Sequence, residues 1–112
     1  MSKSVFIAWT EPSSAEDEDE FNRWYDEVHI PEVMSAVPSI VAAARYRCAD
    51  PVAMVASGLP AHRYLAIYEL DTADVTGAAA ALEAAIGQGT IVLSPALDLT
   101  NSPPILGGYV GV

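Results

Sequence analysis

Cysteine, lysine and long apolar runs are all scarce in this sequence of 112 residues. The single cysteine, Cys48, cannot form an internal disulfide, so no disulfide framework is expected and nothing points to an oxidising compartment. No run approaches the roughly 18 apolar residues of a membrane-spanning helix, and the N-terminus lacks the apolar segment of a signal peptide. We therefore expect a cytoplasmic protein that does not enter a membrane.

Basic residues are also few, with 5 lysines and arginines against 15 acidic residues and a formal net charge of −10. Such a surface repels phosphate, which argues against nucleic acid and anionic lipid as partners. No group of His, Cys, Asp and Glu has the spacing of a metal site. No glycine-rich phosphate loop is present, because Gly87–Gly89 reads as a helix stop. We expect neither a metal nor a cofactor.

Apolar residues, in contrast, make up 52% of the chain. The length predicts one domain, 1–112. A domain this small leaves much of its surface exposed, so its high apolar content favours burial against a second copy. The alternative is that the many small alanines inflate the count.

The apolar periodicity predicts six elements: a strand at Ser4–Trp9, a helix from the acidic run Glu16–Glu20 to about Ala36, strands at Ile40–Cys48 and Arg63–Leu70, a helix at Val75–Ile86 and a terminal strand at Ile105–Val112. This β-α-β-β-α-β order is that of the ferredoxin-like α+β fold, an antiparallel sheet with two helices on one face. The other face would be left to pack on a second sheet.

The first helix carries bulky residues at helical spacing along one face: Phe21, Trp24, Tyr25, Val28 and Glu32. Pro31 removes a backbone donor, which predicts a kink or break near His29–Ile30. Helical structure should resume to about Ala36, and Pro38 should close it.

The remaining segments differ in clarity. Arg63–Leu70 is apolar on both faces and is expected at the centre of the sheet. In the second strand, alternation places Ile40, Ala42, Ala44, Tyr46 and Cys48 on one face and Val41, Ala43, Arg45 and Arg47 on the other. Asp50–Pro60 reads as a loop, and Thr72–Asp74 as a helix cap. In Gly87–Pro104 only Ile91–Leu93 is strand-like, and this segment is long enough to cover a pocket or reach a partner chain.

The run Asn22–Glu32, NRWYDEVHIPE, resembles the first-helix signature of the dimeric α+β barrel superfamily, particularly its EthD-like branch. There a W-Y-x-x-x-H-x-P segment precedes a turn and an A-x-R-Y/F strand, which Ala44–Tyr46 matches, and the strand YLAIYEL at Tyr64–Leu70 is similar too. The resemblance implies a homodimer paired sheet to sheet into a barrel. Its members include cofactor-free monooxygenases, cyclases, isomerases, haem-handling enzymes and proteins without known activity, so it implies no particular reaction.

Several residues could carry chemistry. His29 is the candidate proton-transfer residue, the alternative being a buried histidine with no chemical role. Tyr68 would act with it on a substrate oxygen, and the predicted substrate contacts are Phe21, Asn22, Trp24, Tyr25, Arg45, Tyr46 and Tyr64. Arg45 suits a substrate carboxylate, or else an ion pair with Glu69 or with the partner subunit.

The leading hypothesis is a cofactor-independent lyase, isomerase or cyclase that acts on a small, apolar, oxygenated molecule. A non-catalytic protein that binds a hydrophobic ligand or supports another enzyme is the second hypothesis. A cofactor-free monooxygenase is the third.

Overall fold

The computed structural model describes residues 3–49 and 62–112. The predicted loop at Asp50–Pro60 lies outside the described residues. The elements, in chain order, are β1 Ser4–Thr10, α1 Glu18–Trp24, a π-helical turn Tyr25–His29, α2 Ile30–Ala36, β2 Ile40–Arg47, β3 Tyr64–Leu70, α3 Val75–Gly87 and β4 Ile105–Val110. In the part of the chain described, no helix is long and apolar enough to cross a membrane.

The four strands form one antiparallel sheet in the order β2-β3-β1-β4. This topology confirms the ferredoxin-like α+β fold and the central position of β3. Alternate residues of the two central strands are buried beneath the helices: Ser4, Phe6, Ala8 and Thr10 of β1, and Tyr64, Ala66, Tyr68 and Leu70 of β3. The core therefore lies between one face of the sheet and the helices.

The first helical segment is continuous but changes geometry at its centre. After α1, the chain makes one π-helical turn in which the Ile30 amide donates to the Tyr25 carbonyl, and α2 follows directly. Pro31 has no amide hydrogen and cannot complete an α-helical bond to the carbonyl four residues earlier. The disturbance predicted from Pro31 is therefore present as a widened turn rather than a break.

The widened turn displaces the buried stripe by one residue. Buried side chains on this segment and the turn after it are Phe21, Trp24, Tyr25, His29, Val33 and Val37. Val28 and Glu32, predicted to continue the stripe, are only half-buried. A π turn closes its hydrogen bond over five residues instead of four. The predicted stripe is therefore wrong at Glu32, whereas Val28 still packs against the edge of the core.

β2 has the predicted extent but not the predicted alternation. Its register with β3 shifts between Ile40 and Ala42, and such an extra residue reverses which face each following side chain meets. Ile40 and Arg45 therefore share the helix-covered face. The prediction that Ile40 lies on the same face as Ala42 is wrong.

α3 begins and ends as predicted. The Asp74 carboxylate accepts a hydrogen bond from the Gly77 amide, 2.9 Å away, and the Thr72 hydroxyl accepts one from the Asp74 amide. At the other end Gly89 has a φ of +79°, a conformation that glycine adopts without strain.

The segment between α3 and β4 is irregular, and the strand-like reading of Ile91–Leu93 is wrong. Ile91, Ala96 and Leu97 of this segment are buried in the core. The segment is ordered instead by the Asp98 carboxylate, which accepts backbone hydrogen bonds from Thr100, Asn101 and Ser102 at 2.9–3.0 Å. These bonds also hold the pKa of Asp98 below its ordinary value.

The sheet face away from the helices is largely apolar, and none of the elements in residues 3–49 and 62–112 covers it. Its half-buried members are Val5, Ile7, Trp9, Ala42, Leu65 and Ile67, and its exposed large side chains are Tyr46, Ile105 and Tyr109. We call this set the open face. It contains one acidic residue of β3, Glu69.

Replacing Asp74 by alanine removes the side-chain acceptor at the start of α3. We expect Asp74→Ala to lower the free energy of unfolding by about 1 kcal/mol, measured by urea denaturation. Asp74→Asn retains an acceptor and should preserve most of the stability. Equal losses in the two variants would contradict the capping role.

Candidate functional site

A cavity of about 430 Å³ lies between the sheet, the first helical segment, α3 and the segment before β4. Most of its walls are aliphatic or aromatic. The residues that line it are Phe6, Ala8, Thr10, Tyr25, His29, Val33, Tyr68, Val75, Ala79, Leu82, Glu83, Ile86, Leu93, Leu97, Pro104, Leu106, Gly107 and Gly108. An apolar cavity with a few polar groups is typical of small-molecule sites.

His29 reaches this cavity because it ends the π-helical turn. Its side chain is buried, with only 9% of the residue exposed. The imidazole stacks on the Trp24 ring, with centroids 4.6 Å apart, and meets the Tyr25 ring edge-on at 4.9 Å. Nδ1 is buried and has no hydrogen-bond partner among the described residues. Two aromatic rings therefore fix the orientation of the imidazole.

The surroundings of His29 favour its neutral form. Burial and, to a smaller extent, the positive charge of Arg45 lower the pKa of His29 from 6.5 to about 4. A neutral imidazole has a free lone pair and can accept a proton at ordinary pH.

Three residues that carry hydroxyl groups line the same cavity: Thr10, Tyr25 and Tyr68. Burial raises the pKa of Tyr68 above its ordinary value, and the neighbouring Tyr25 adds to this effect. Burial also raises the pKa of Tyr25, although the Tyr68 hydroxyl, Arg45 and Thr10 act in the opposite direction. Both phenols stay protonated and can donate hydrogen bonds to a ligand oxygen.

Three of the other predicted contact residues, Asn22, Arg45 and Tyr64, belong to a second cluster outside the cavity. The Arg45 guanidinium donates to Asn22 Oδ1 at 2.9 Å and to Asp26 Oδ1 at 3.1 Å. The Asn22 amide donates to the Tyr64 hydroxyl at 3.1 Å, and that hydroxyl donates to Glu18. These side chains satisfy one another and hold α1 on the sheet.

The position of Arg45 differs from two of the alternatives predicted for it, a contact with a substrate carboxylate and an ion pair with Glu69. Arg45 does not line the cavity, so a ligand there cannot use it to bind a carboxylate directly. Its ion-pair partner is Asp26 instead of Glu69, because Glu69 lies opposite Ala42 on the open face.

The predicted aromatic contacts also separate. Phe21 is fully buried and packs against the rings of Tyr25 and Tyr64, outside the cavity. Trp24 is buried against His29 and does not line the cavity. Tyr46 is 54% exposed on the open face, on the opposite side of the sheet. Of the nine predicted site residues, the cavity brings together Tyr25, His29 and Tyr68.

Several residues that line the cavity have no feature in the sequence that would identify them as site residues. Glu83 of α3 is the one acidic side chain among the lining residues. Leu93, Leu97 and Pro104 place the irregular segment in the cavity wall, one of the two roles considered for it. Within residues 3–49 and 62–112, no three His, Cys, Asp or Glu side chains are grouped to hold a metal ion.

Comparison of the sequence with models of known protein families gives no match, and comparison with curated proteins gives none either. Solved structures do share the fold. HapK from Hahella chejuensis has a TM-score of 0.56 and 17% identity, covering 93% of this chain and 90% of that one. An EthD-like protein from Ralstonia eutropha JMP134 has a TM-score of 0.53 and 15% identity, covering 97% and 92%.

A third similar structure is a dimeric ferredoxin-like protein of unknown function from Jannaschia sp. CCS1. It has a TM-score of 0.57 and 10% identity, covering 96% of this chain and 97% of that one. These likenesses confirm the fold that the first-helix signature predicts, shared with dimeric ferredoxin-like and EthD-like proteins. At such identities they show the fold alone.

The lowered pKa of His29 makes stability depend on pH. Between about pH 4 and pH 6.5 the unfolded chain binds a proton at this residue that the folded chain does not. The free energy of unfolding should therefore fall as the pH is lowered through this range, by about 3 kcal/mol at most from this group. In urea denaturation, His29→Gln should lose this part of the pH dependence. His62→Gln should retain it, and identical profiles for wild type and His29→Gln would contradict the assignment.

Proposed function

We propose that this protein is a cofactor-independent enzyme of the lyase, isomerase or cyclase class. Its substrate would be a small, apolar, oxygenated molecule bound in the cavity. The observation that supports this most directly is a neutral, oriented histidine beside two protonated phenols in an apolar enclosure. These groups provide a base and hydrogen-bond donors without any additional group.

In the proposed step, the imidazole of His29 accepts a proton from a carbon next to a substrate carbonyl, through Nε2 since Nδ1 is enclosed. The electron pair of the broken C–H bond moves onto the carbonyl oxygen and gives an enolate. Tyr68 and Tyr25 donate hydrogen bonds to that oxygen, where the negative charge develops. An isomer results if the enolate takes the proton back at a different carbon. A ring results if the enolate carbon bonds to a second carbonyl carbon of the substrate, whose oxygen then takes the proton. Elimination results if the bond to a group on the next carbon breaks and that group leaves with the proton.

We further propose that two chains pair through the open face. Ile7 and Ile67 lie opposite each other on the central strands, and apolar side chains surround them. An apolar sheet face that the described residues leave uncovered favours packing on a second sheet. The similar structure from Jannaschia sp. CCS1 is described as dimeric.

Solvent exchange tests the proton-transfer step without knowledge of the natural substrate. With 2-tetralone, a small apolar ketone, in D₂O, the wild-type protein should accelerate replacement of the protons next to the carbonyl by deuterium, measured by NMR. His29→Gln should lower the catalysed rate by about 10²-fold or more, because the base is lost. His62→Gln provides the matched control and should exchange at the wild-type rate.

The other two hypotheses predict different results in the same experiment. Binding of 2-tetralone with no acceleration of exchange by the wild type would favour a non-catalytic binding protein. Consumption of oxygen in the presence of the ketone would favour a monooxygenase. Unchanged exchange in His29→Gln would overturn the role of this histidine.

Charge at the centre of the open face tests the pairing. Ile67→Asp would bury a carboxylate in the proposed interface, a substitution that buried apolar contacts do not tolerate. We expect it to convert a dimer to a monomer in light scattering. Val92→Asp, at a residue that is 63% exposed in the segment before β4, should leave the dimer intact. A monomeric wild-type protein would contradict the pairing.

A further inference from the structure

Arg45 is a cation held against aromatic rings beneath the first helical segment. Its guanidinium carbon lies 4.4 Å from the centre of the Tyr25 ring, 5.3 Å from that of Tyr64 and 5.4 Å from that of Phe21. Only 12% of its side chain is exposed. A cation stacked on an aromatic ring in such a desolvated position fixes the ring strongly.

The guanidinium is held from several directions. Asn22 and Asp26 accept its hydrogen bonds, and Asn22 is itself bonded to Tyr64 of β3. The Asp26 side chain is 61% exposed, so water screens its negative charge. The positive charge of Arg45 is therefore only partly compensated on the side that faces the core.

Tyr25 connects this cation to the proposed base. The Tyr25 ring contacts the Arg45 guanidinium and also the imidazole of His29, whose ring centre is 4.9 Å from that of Tyr25. Tyr25 also lines the cavity. A displacement of Tyr25 would consequently alter both the orientation of His29 and one hydrogen-bond donor of the site.

We propose that Arg45 is a positioning residue, which fixes Tyr25 by stacking and whose positive charge adds to the effect of burial in disfavouring a charged imidazole at His29. The catalytic meaning of this role rests on the proposed function, whereas the effect on His29 does not. Arg45 does not line the cavity, so its contribution passes through Tyr25 and through the electric field.

Other ionisable groups also face His29. Tyr68 comes from β3 and Glu83 from α3, and both line the same cavity. On its own helical segment His29 is near Tyr25 and near Glu32, one of whose carboxylate oxygens is buried without a partner among the described residues. Negative charge close to the imidazole would favour its charged form, whereas burial and Arg45 oppose that form.

An NMR titration of His29 in the full chain distinguishes charge from packing by the sign of the change. Arg45→Met keeps an unbranched side chain and removes the charge, so the pKa of His29 should rise, by about half a unit or more. Asp26→Asn removes the negative partner of Arg45, so the pKa should fall. Arg45→Lys retains the charge and should keep the pKa near the wild-type value, although it loses the stacked geometry.

The outcomes separate this inference from the proposed function. A rise in the pKa of His29 in both Arg45→Met and Asp26→Asn would indicate loosened packing and would overturn the inference. An unchanged pKa of His29 in both variants would also overturn it. Because Asp26 is exposed, its variant keeps the test valid even if Arg45→Met unfolds.

The exchange rate of 2-tetralone should fall several-fold in Arg45→Lys with little change in binding, and a wild-type rate in this variant would overturn the positioning of Tyr25. Failure of exchange in the wild type would count against the proposed function alone.

Discussion

The missing amide hydrogen of Pro31 is the constraint on which the site depends. A regular α-helix cannot pass this residue with all its bonds made, and the chain instead widens to a π turn over Tyr25–His29. That turn moves the next buried position to His29, and Val33 follows four residues later. The imidazole is thereby placed in an apolar enclosure, which keeps it neutral. Helix geometry, burial and acid–base behaviour thus have one common origin.

Most of the fold could be predicted from periodicity, because strands and helices differ in how often an apolar side chain recurs. β3, with both faces apolar, and α3, with an Asp cap and a glycine stop, were correctly identified. The features that were missed interrupt a period: the π turn, the bulge in β2, and the Asp98-ordered segment. Each depends on a local hydrogen bond or on register with another strand. No count of apolar residues contains that information.

The candidate site could be predicted only in part, for the same reason. His29, Tyr25 and Tyr68 have side chains whose chemistry is evident from their type, and the fold brings them together. Arg45 was assigned to a ligand because its charge was evident, whereas its actual neighbours depend on where β2 pairs with β3 and where α1 crosses them. Glu83 lay on an alanine-rich helix with nothing to distinguish it. Contacts between residues far apart in sequence decide these roles.

The alternation of β1 restricts how this protein can change during evolution. One set of its side chains is buried below the helices: Ser4, Phe6, Ala8 and Thr10. The other set belongs to the open face: Val5, Ile7 and Trp9. Every position of the strand is therefore restricted in the substitutions that it tolerates. An insertion or deletion of one residue would exchange the two sets at once. New ligand preferences are therefore more accessible through α3 and the irregular segment before β4. Those parts of the wall can vary in sequence while the sheet is preserved.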